Sequence, residues 1–184
     1  MCGPNASGKT TLAQAIINKF PNLNYVNGDH LRKMITADVA YFKNVDYSVR
    51  SPEENIANHF AKMYINGMTD ELGRAGQSIL VDAVSLRSDT RKFRFDQVRA
   101  HNPNIVKIII GMNIPEEELI KNLSERDRQG TVNHPLTSSN WLKVYNEYGK
   151  QTYQLPTPQE ADHVLIFNQE NQEEILQDLE KIIQ

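Results

Sequence analysis

The strongest constraint on this chain lies at its start. Gly3-Pro4-Asn5-Ala6-Ser7-Gly8-Lys9-Thr10 fits G-x-x-x-x-G-K-[ST] at every fixed position. From Thr11 onward, Leu12, Ile16, Ile17 and Phe20 recur at helical spacing until Pro21. Glycines in such a loop let the backbone curl into a nest of N–H groups that converge on an anion, and the helix that follows adds its positive dipole end. Lys9 is spaced to reach phosphate oxygens, and the Thr10 hydroxyl is a hard oxygen ligand suited to magnesium. Composition alone would produce the four fixed positions in roughly 1% of chains this long or fewer, which favours a phosphate-binding loop over a chance turn. The expected triphosphate contacts run from Gly3 through Thr11.

The rest of the chain alternates β-rich runs with helices. Strands are expected at Asn24 to Asn27, Ser78 to Val81, Ile105 to Ile110 and Val164 to Phe167. Helices are expected over Asp29 to Thr36, from the Ser51-Pro52 start to Gly73 or Gly76, over Ser88 to Ala100, from Pro115 with three glutamates in its first turn, around Trp141 to Tyr148, and at the acidic C-terminus. This alternation predicts one α/β three-layer domain over residues 1–184, a parallel sheet of about five strands flanked by helices. Only Met1 and Cys2 precede Gly3, where the loop's own strand belongs. The expectation is that the natural chain begins several residues upstream, because a missing central strand leaves unpaired backbone between its neighbours.

The net charge of -3 argues against holding nucleic acid mainly by phosphate neutralisation, although a local basic cleft stays open. One cysteine, Cys2, permits no internal disulfide and suits a reducing cytosol; its reading is a small buried hydrophobe. The longest apolar run, Ile105 to Ile110, is broken by Lys107 and is too short to span a membrane, so a soluble cytoplasmic protein is expected. The five histidines are scattered, which speaks against zinc; His30, beside Asp29, reads as structural. Trp141, Tyr145 and Tyr148 read as a packing stripe.

In open parallel sheets, ligands sit at the carboxyl ends of the strands. Asp82 ends one apolar run and is the candidate second magnesium ligand beside Thr10; its competing role is a cap near Arg87. Asp29 follows another strand and is the candidate general base, with Arg32 one turn later gripping an anionic part of the acceptor. The plain alternative is an N-cap paired with Arg32 at the surface. Arg126 and Arg128 end a helix before a Gly/Thr/Asn/Pro loop, and residues 124–140 read as a lid. An arginine closing over transferred phosphate stabilises its spread charge, whereas the bland reading is a solvated helix end.

The order of these features resembles the kinase domain of 5′-hydroxyl polynucleotide kinases: the loop, Asp29-x-x-Arg32, Asp82, the arginine lid, then Val132-Asn133-His134-Pro135 before a helix. Zeta-toxin-like and AAA-type ATP-binding small kinases are more distant likenesses. The resemblance implies that Asp29 is the base, that Arg32 contacts the phosphate next to the attacked hydroxyl, and that Arg126 is the lid arginine. Two positions depart from that pattern: Asn122 stands where a further lid arginine is expected, and Asp82-Ala83-Val84 where Asp-Thr-Asn is common.

The expected function is therefore phosphoryl transfer from ATP or GTP, with Mg2+, to an acceptor hydroxyl such as a nucleic-acid 5′-hydroxyl. A sugar, nucleoside or antibiotic is an alternative acceptor. From a different class, the alternative is a nucleotide-dependent ATPase or regulatory switch with no phosphoryl acceptor.

Overall fold

The computed structural model describes residues 1–30, 34, 52–129 and 141–183. The apolar spacing after the loop does what helical geometry requires: α1, Lys9–Lys19, turns Leu12, Ala13 and Ile16 inward. It ends at Phe20, whose N–H reaches the Ile16 carbonyl just ahead of Pro21. There follow β1 (Asn24–Asn27), α2 (Pro52–Arg74), β2 (Ile79–Asp82), α3 (Ser88–His101), β3 (Ile108–Met112) and α4 (Glu116–Gln129). The rest comprises α5 (Trp141–Val144), a π-turn at Tyr145–Gly149, α6 (Lys150–Thr152), a 3-10 turn at Pro158–Glu160, β4 (His163–Phe167) and α7 (Gln172–Ile183).

The strands form two parallel pairs. β1 lies on β2 with Asn24 opposite Ile79 and Asn27 opposite Asp82. β3 lies on β4 from Ile108–His163 to Met112–Phe167. Met1 and Cys2 stand between the pairs. The Met1 amino group donates to the Val81 carbonyl at 2.8 Å. Cys2 bonds Ile110 and Met112 across a parallel bridge at 2.9 and 3.0 Å. The lateral order is therefore β1, β2, Met1-Cys2, β3, β4. Where a continuous sheet of about five strands is expected, the central member is a two-residue rung, because only two residues lie ahead of the loop to pair.

Helices α1 and α7 bury their apolar faces on one side of this sheet. Leu12, Ile16, Ile175, Leu176 and Leu179 meet Leu80, Ile110, Met112 and Phe167 in one core cluster. α2 and α3 pack closely enough that a Cβ on Gly73 would sit 2.4 Å from Val98. Cys2 is buried, as its hydrophobic reading requires. No helix among the described residues is long and apolar enough to cross a membrane.

Three strands shift their bounds, β4 only by starting at His163. The run expected at Ile105 to Ile110 is a strand only from Ile108. Ile105 bonds back to Asn102 in a turn, while Gly111 and Met112 are drawn into the ladder by Cys2 and β4. The run expected at Ser78 to Val81 is a strand from Ile79 to Asp82, the last of which pairs with Asn27. The helix expected around Trp141 to Tyr148 begins as one but passes into the π-turn, with Tyr148 exposed and Trp141 and Tyr145 packed against Leu119 and Leu123. The Ser51 cap, Arg32, most of the 29–36 helix and residues 130–140 of the expected lid, including Val132 to Pro135, lie outside the described residues.

Arg91 is the main buried ionic tie. Its side chain is 3% exposed; it grips the Glu160 carboxylate at 2.7 and 2.9 Å and donates to the Ser85 and Leu86 carbonyls at 3.0 Å. Removing one member of such a pair strands the other charge. Arg91→Ala is expected to lower unfolding free energy by about 3–5 kcal/mol, read as a lower urea midpoint with an unchanged slope.

Candidate functional site

The loop is shaped by a few steric demands. Ala6 and Gly8 adopt left-handed backbone, with φ of 61° and 85°. Gly3 has no room for a side chain, since a Cβ would lie 2.5 Å from Met112 Cγ. Ser7 Oγ donates to the Pro4 carbonyl at 2.8 Å. Lys9 Nζ folds back over the same turn, donating to the carbonyls of Gly3 (2.9 Å) and Pro4. Lys9 is buried, and that burial pushes its ammonium down to about 8, against the opposing pull of Asp82. The loop thus holds a cation at the place where anionic phosphate is expected.

The β1–β2 register supplies the acidic half of the site. Because Asn27 and Asp82 pair directly, their side chains meet beside the loop. Asp82 Oδ2 accepts hydrogen bonds from Thr10 Oγ1 (2.9 Å), Tyr25 Oη (3.0 Å) and Asn27 Nδ2 (2.8 Å). Asn27 Nδ2 also reaches Tyr25 Oη at 2.7 Å, and Asn27 Oδ1 accepts the Asp29 N–H at 2.7 Å. One amide side chain therefore links the Asp82 carboxylate to the backbone of Asp29. Burial, with Asp82 next, raises the Tyr25 hydroxyl well above its usual range, keeping it a neutral donor.

The remaining cation comes from α4. This helix rests on the loop through Leu119 and Leu123 against Ala6, and Asn122 Nδ2 lies 3.4 Å from the Ala6 carbonyl. Its last turn carries Arg126, whose guanidinium stands 6.0 Å over the Trp141 ring. Burial lowers the pKa of Arg126, while the carboxylates of Asp29 and Asp82 raise it. Asp127 accepts the backbone N–H groups of Trp141 (2.6 Å) and Leu142 (3.1 Å), fastening α5 to the end of α4.

Lys9, Thr10, Asp29, Asp82 and Arg126 thus share one electrostatic neighbourhood at the carboxyl ends of β1 and β2. Arg128 does not join them: its side chain is 78% exposed and pairs with Glu125 on the solvent face of α4. Thr11 is exposed on the first turn of α1. Tyr25 and Asn27 are the residues that sequence reasoning missed. Their only signal is the polar alternation in Asn24-Tyr25-Val26-Asn27, which puts both on one face of β1.

Thr10 and Asp82 place two hard oxygen donors within 2.9 Å of each other. Among the described residues, no group of three or more His, Cys, Asp or Glu gathers as a metal cage. That donor set fits magnesium, which favours few protein ligands and completes its shell with phosphate oxygens and water. Asn27→Ala is expected to leave the fold intact and to reduce turnover by about 10-fold or more, because the Asp82 carboxylate loses a donor and the Asp29 backbone loses its acceptor. Steady-state turnover alongside a thermal melt checks this.

The AAA domain family model matches residues 1–149 of the chain. No curated protein sequence matches it significantly. Among solved structures, a protein from Chloroflexus aurantiacus J-10-fl with a provisional kinase assignment superposes at TM-score 0.77 and 18% identity, over 98% of this chain and 94% of that one. A sugar kinase from Janibacter sp. HTCC2649, without ligand, superposes at TM-score 0.58 and 16% identity, over 97% and 88%. At these identities the likeness is one of fold, that of the P-loop NTPases.

Proposed function

We propose, for a chain that belongs to the AAA domain family, a kinase activity that moves the γ-phosphoryl group of ATP or GTP onto an acceptor hydroxyl. The carrying observation is the convergence of Lys9, Thr10, Asp29, Asp82 and Arg126 at one end of the sheet. Lys9 exchanges the Gly3 and Pro4 carbonyls for the β- and γ-phosphate oxygens when a nucleotide enters. Asp29, held by its backbone bond to Asn27, accepts the proton of the attacking hydroxyl. Arg126 supplies positive charge from the lid side as the phosphoryl group passes between oxygens. Magnesium, held by Thr10 and Asp82 when bound, neutralises phosphate charge. The kinase assignments carried by the two fold neighbours support the same reaction class.

A 5′-hydroxyl end of nucleic acid is the acceptor implied by the resemblance to polynucleotide kinases that Asp29-x-x-Arg32 carries. A small-molecule acceptor such as a sugar is the second reading. It is favoured by Asn122, which bonds the Ala6 carbonyl at the place of a further arginine and so removes one grip on a polynucleotide phosphate. Incubating the protein with γ-labelled ATP and either 5′-hydroxyl oligonucleotides or a panel of sugars and nucleosides separates them by which product acquires label. Hydrolysis at an acceptor-independent rate with no labelled product would overturn the kinase reading in favour of an ATPase switch.

A further inference from the structure

The hydrogen bonds that the Asp82 carboxylate accepts among the described residues all fall on one oxygen. Thr10 Oγ1 (2.9 Å), Tyr25 Oη (3.0 Å) and Asn27 Nδ2 (2.8 Å) donate to Oδ2, and none of them to Oδ1. A carboxylate oxygen offers about two lone pairs, so Oδ2 is saturated. Asp82 as a whole is only 5% exposed. Yet the one side-chain polar atom that is both sealed from solvent and unpartnered among the described residues is Arg94 Nε. Oδ1 therefore opens to solvent at the carboxyl end of β2. The carboxylate is held by one oxygen and presents the other.

Of the three donors, Tyr25 is the one that the reaction does not otherwise use. Thr10 belongs to the phosphate loop, and Asn27 also accepts the Asp29 N–H. Tyr25 stands opposite Leu80 on β2, two residues short of Asp82. Only a long side chain spans that diagonal, and the phenol does. Its ring is held on two sides. It packs against the core cluster beneath α1, and the His30 ring meets it edge-on, with centroids 5.5 Å apart and planes at 85°. Asn27 Nδ2 donates to the Tyr25 hydroxyl at 2.7 Å, which leaves the hydroxyl proton for Asp82. Tyr25 is thus a fixed donor with one place to point.

We propose that Tyr25 is a positioning residue for metal selectivity: by occupying Oδ2 it leaves Asp82 a single oxygen, an arrangement that suits magnesium and disfavours calcium. The inference rests on reading Thr10 and Asp82 as the magnesium site of the kinase. Magnesium demands a near-octahedral shell and takes few carboxylate oxygens, keeping several waters. Calcium is larger, gathers about six to eight oxygens and often takes both from one carboxylate. A cation that engages both oxygens of Asp82 must displace the Tyr25 hydroxyl from Oδ2. The phenol, clamped between the core and His30, then loses its acceptor, a penalty that one-oxygen binding does not incur.

The test is calorimetric titration with a non-hydrolysable imido analogue of ATP, added as its magnesium or its calcium complex, so that no turnover is needed. The unsubstituted protein is expected to bind the magnesium complex about tenfold more tightly, the scale of one hydrogen bond to a charged group. Tyr25→Phe keeps the ring and its packing, so its thermal midpoint without nucleotide is expected to stay within about 3 °C. Its preference for magnesium is expected to shrink by about five- to tenfold, chiefly through tighter calcium binding. His30→Ala removes the edge contact but not the hydroxyl, and is expected to keep the original preference. An unchanged preference in Tyr25→Phe overturns the proposal and leaves the kinase reading standing. An equal loss in His30→Ala does the same, because it assigns the effect to ring packing. If Tyr25→Phe does not fold, the unsubstituted protein decides: a magnesium preference supports the proposal, and equal affinity for the two complexes overturns it. Should neither complex bind better than the metal-free analogue, the magnesium site is lost, and the kinase reading falls together with this inference.

Discussion

Asp29→Asn should lower phosphoryl transfer by about 10²–10⁴-fold, the range that a positioned general base contributes, while nucleotide affinity stays within about threefold. The substitution is nearly isosteric, so the backbone bond from residue 29 to Asn27 Oδ1 persists and the start of the segment is not disturbed. What disappears is a proton acceptor and one of the two carboxylates that act on Arg126. Single-turnover transfer and equilibrium nucleotide titration, run on the same preparation, distinguish the roles. A base mutant binds and does not transfer. A variant that transfers normally per bound nucleotide, or that loses nucleotide affinity together with its thermal midpoint, would mean that Asp29 only caps its turn.

Lys9→Met should be as severe for a different reason. Losing a preorganised cation from the phosphate site is expected to reduce turnover by about 10²–10³-fold, with weaker nucleotide binding as well. The pH dependence offers a second, independent readout. In the free protein Lys9 is held down to about 8, so it is charged below that value and neutral above it. Phosphate oxygens favour the charged form and raise the pKa again on binding. Nucleotide affinity is therefore greatest below the free value. It falls by up to about tenfold per pH unit as pH climbs from the free value toward the bound one. Calorimetry in buffers of different ionisation enthalpy should detect proton uptake on binding near pH 8.5, a value just above the free pKa. Lys9→Met should abolish that uptake. Affinity that holds steady across this interval in the unsubstituted protein would remove Lys9 from the phosphate site.

How much of this was legible in the sequence depends on how far apart the cooperating residues lie. The loop is contiguous, so its spacing alone carries its geometry, including the demand for a bare Gly3. Asp82 was legible because a carboxylate at the end of an apolar run has few other uses in an α/β chain. Asn27 and Tyr25 were not, since their meaning arises only when β1 is laid on β2 in one register, and a shift of one residue would turn both away from Asp82. Arg126 and Arg128 looked alike in the sequence. They separate in space because positions two apart on a helix face different ways, leaving Arg128 to Glu125. The start of β3 was misplaced because Ile105 and Val106 have strand-like side chains while the Asn102 turn claims the backbone.

Asp127 has a consequence beyond its own turn. A single carboxylate clasps amides 14 and 15 residues further along, so the ends of the intervening stretch are joined independently of what lies between them. Trp141 and the cation over its ring are thereby held at the end of α4. On the kinase reading proposed above, the clasp fixes the cation that would face the phosphoryl group.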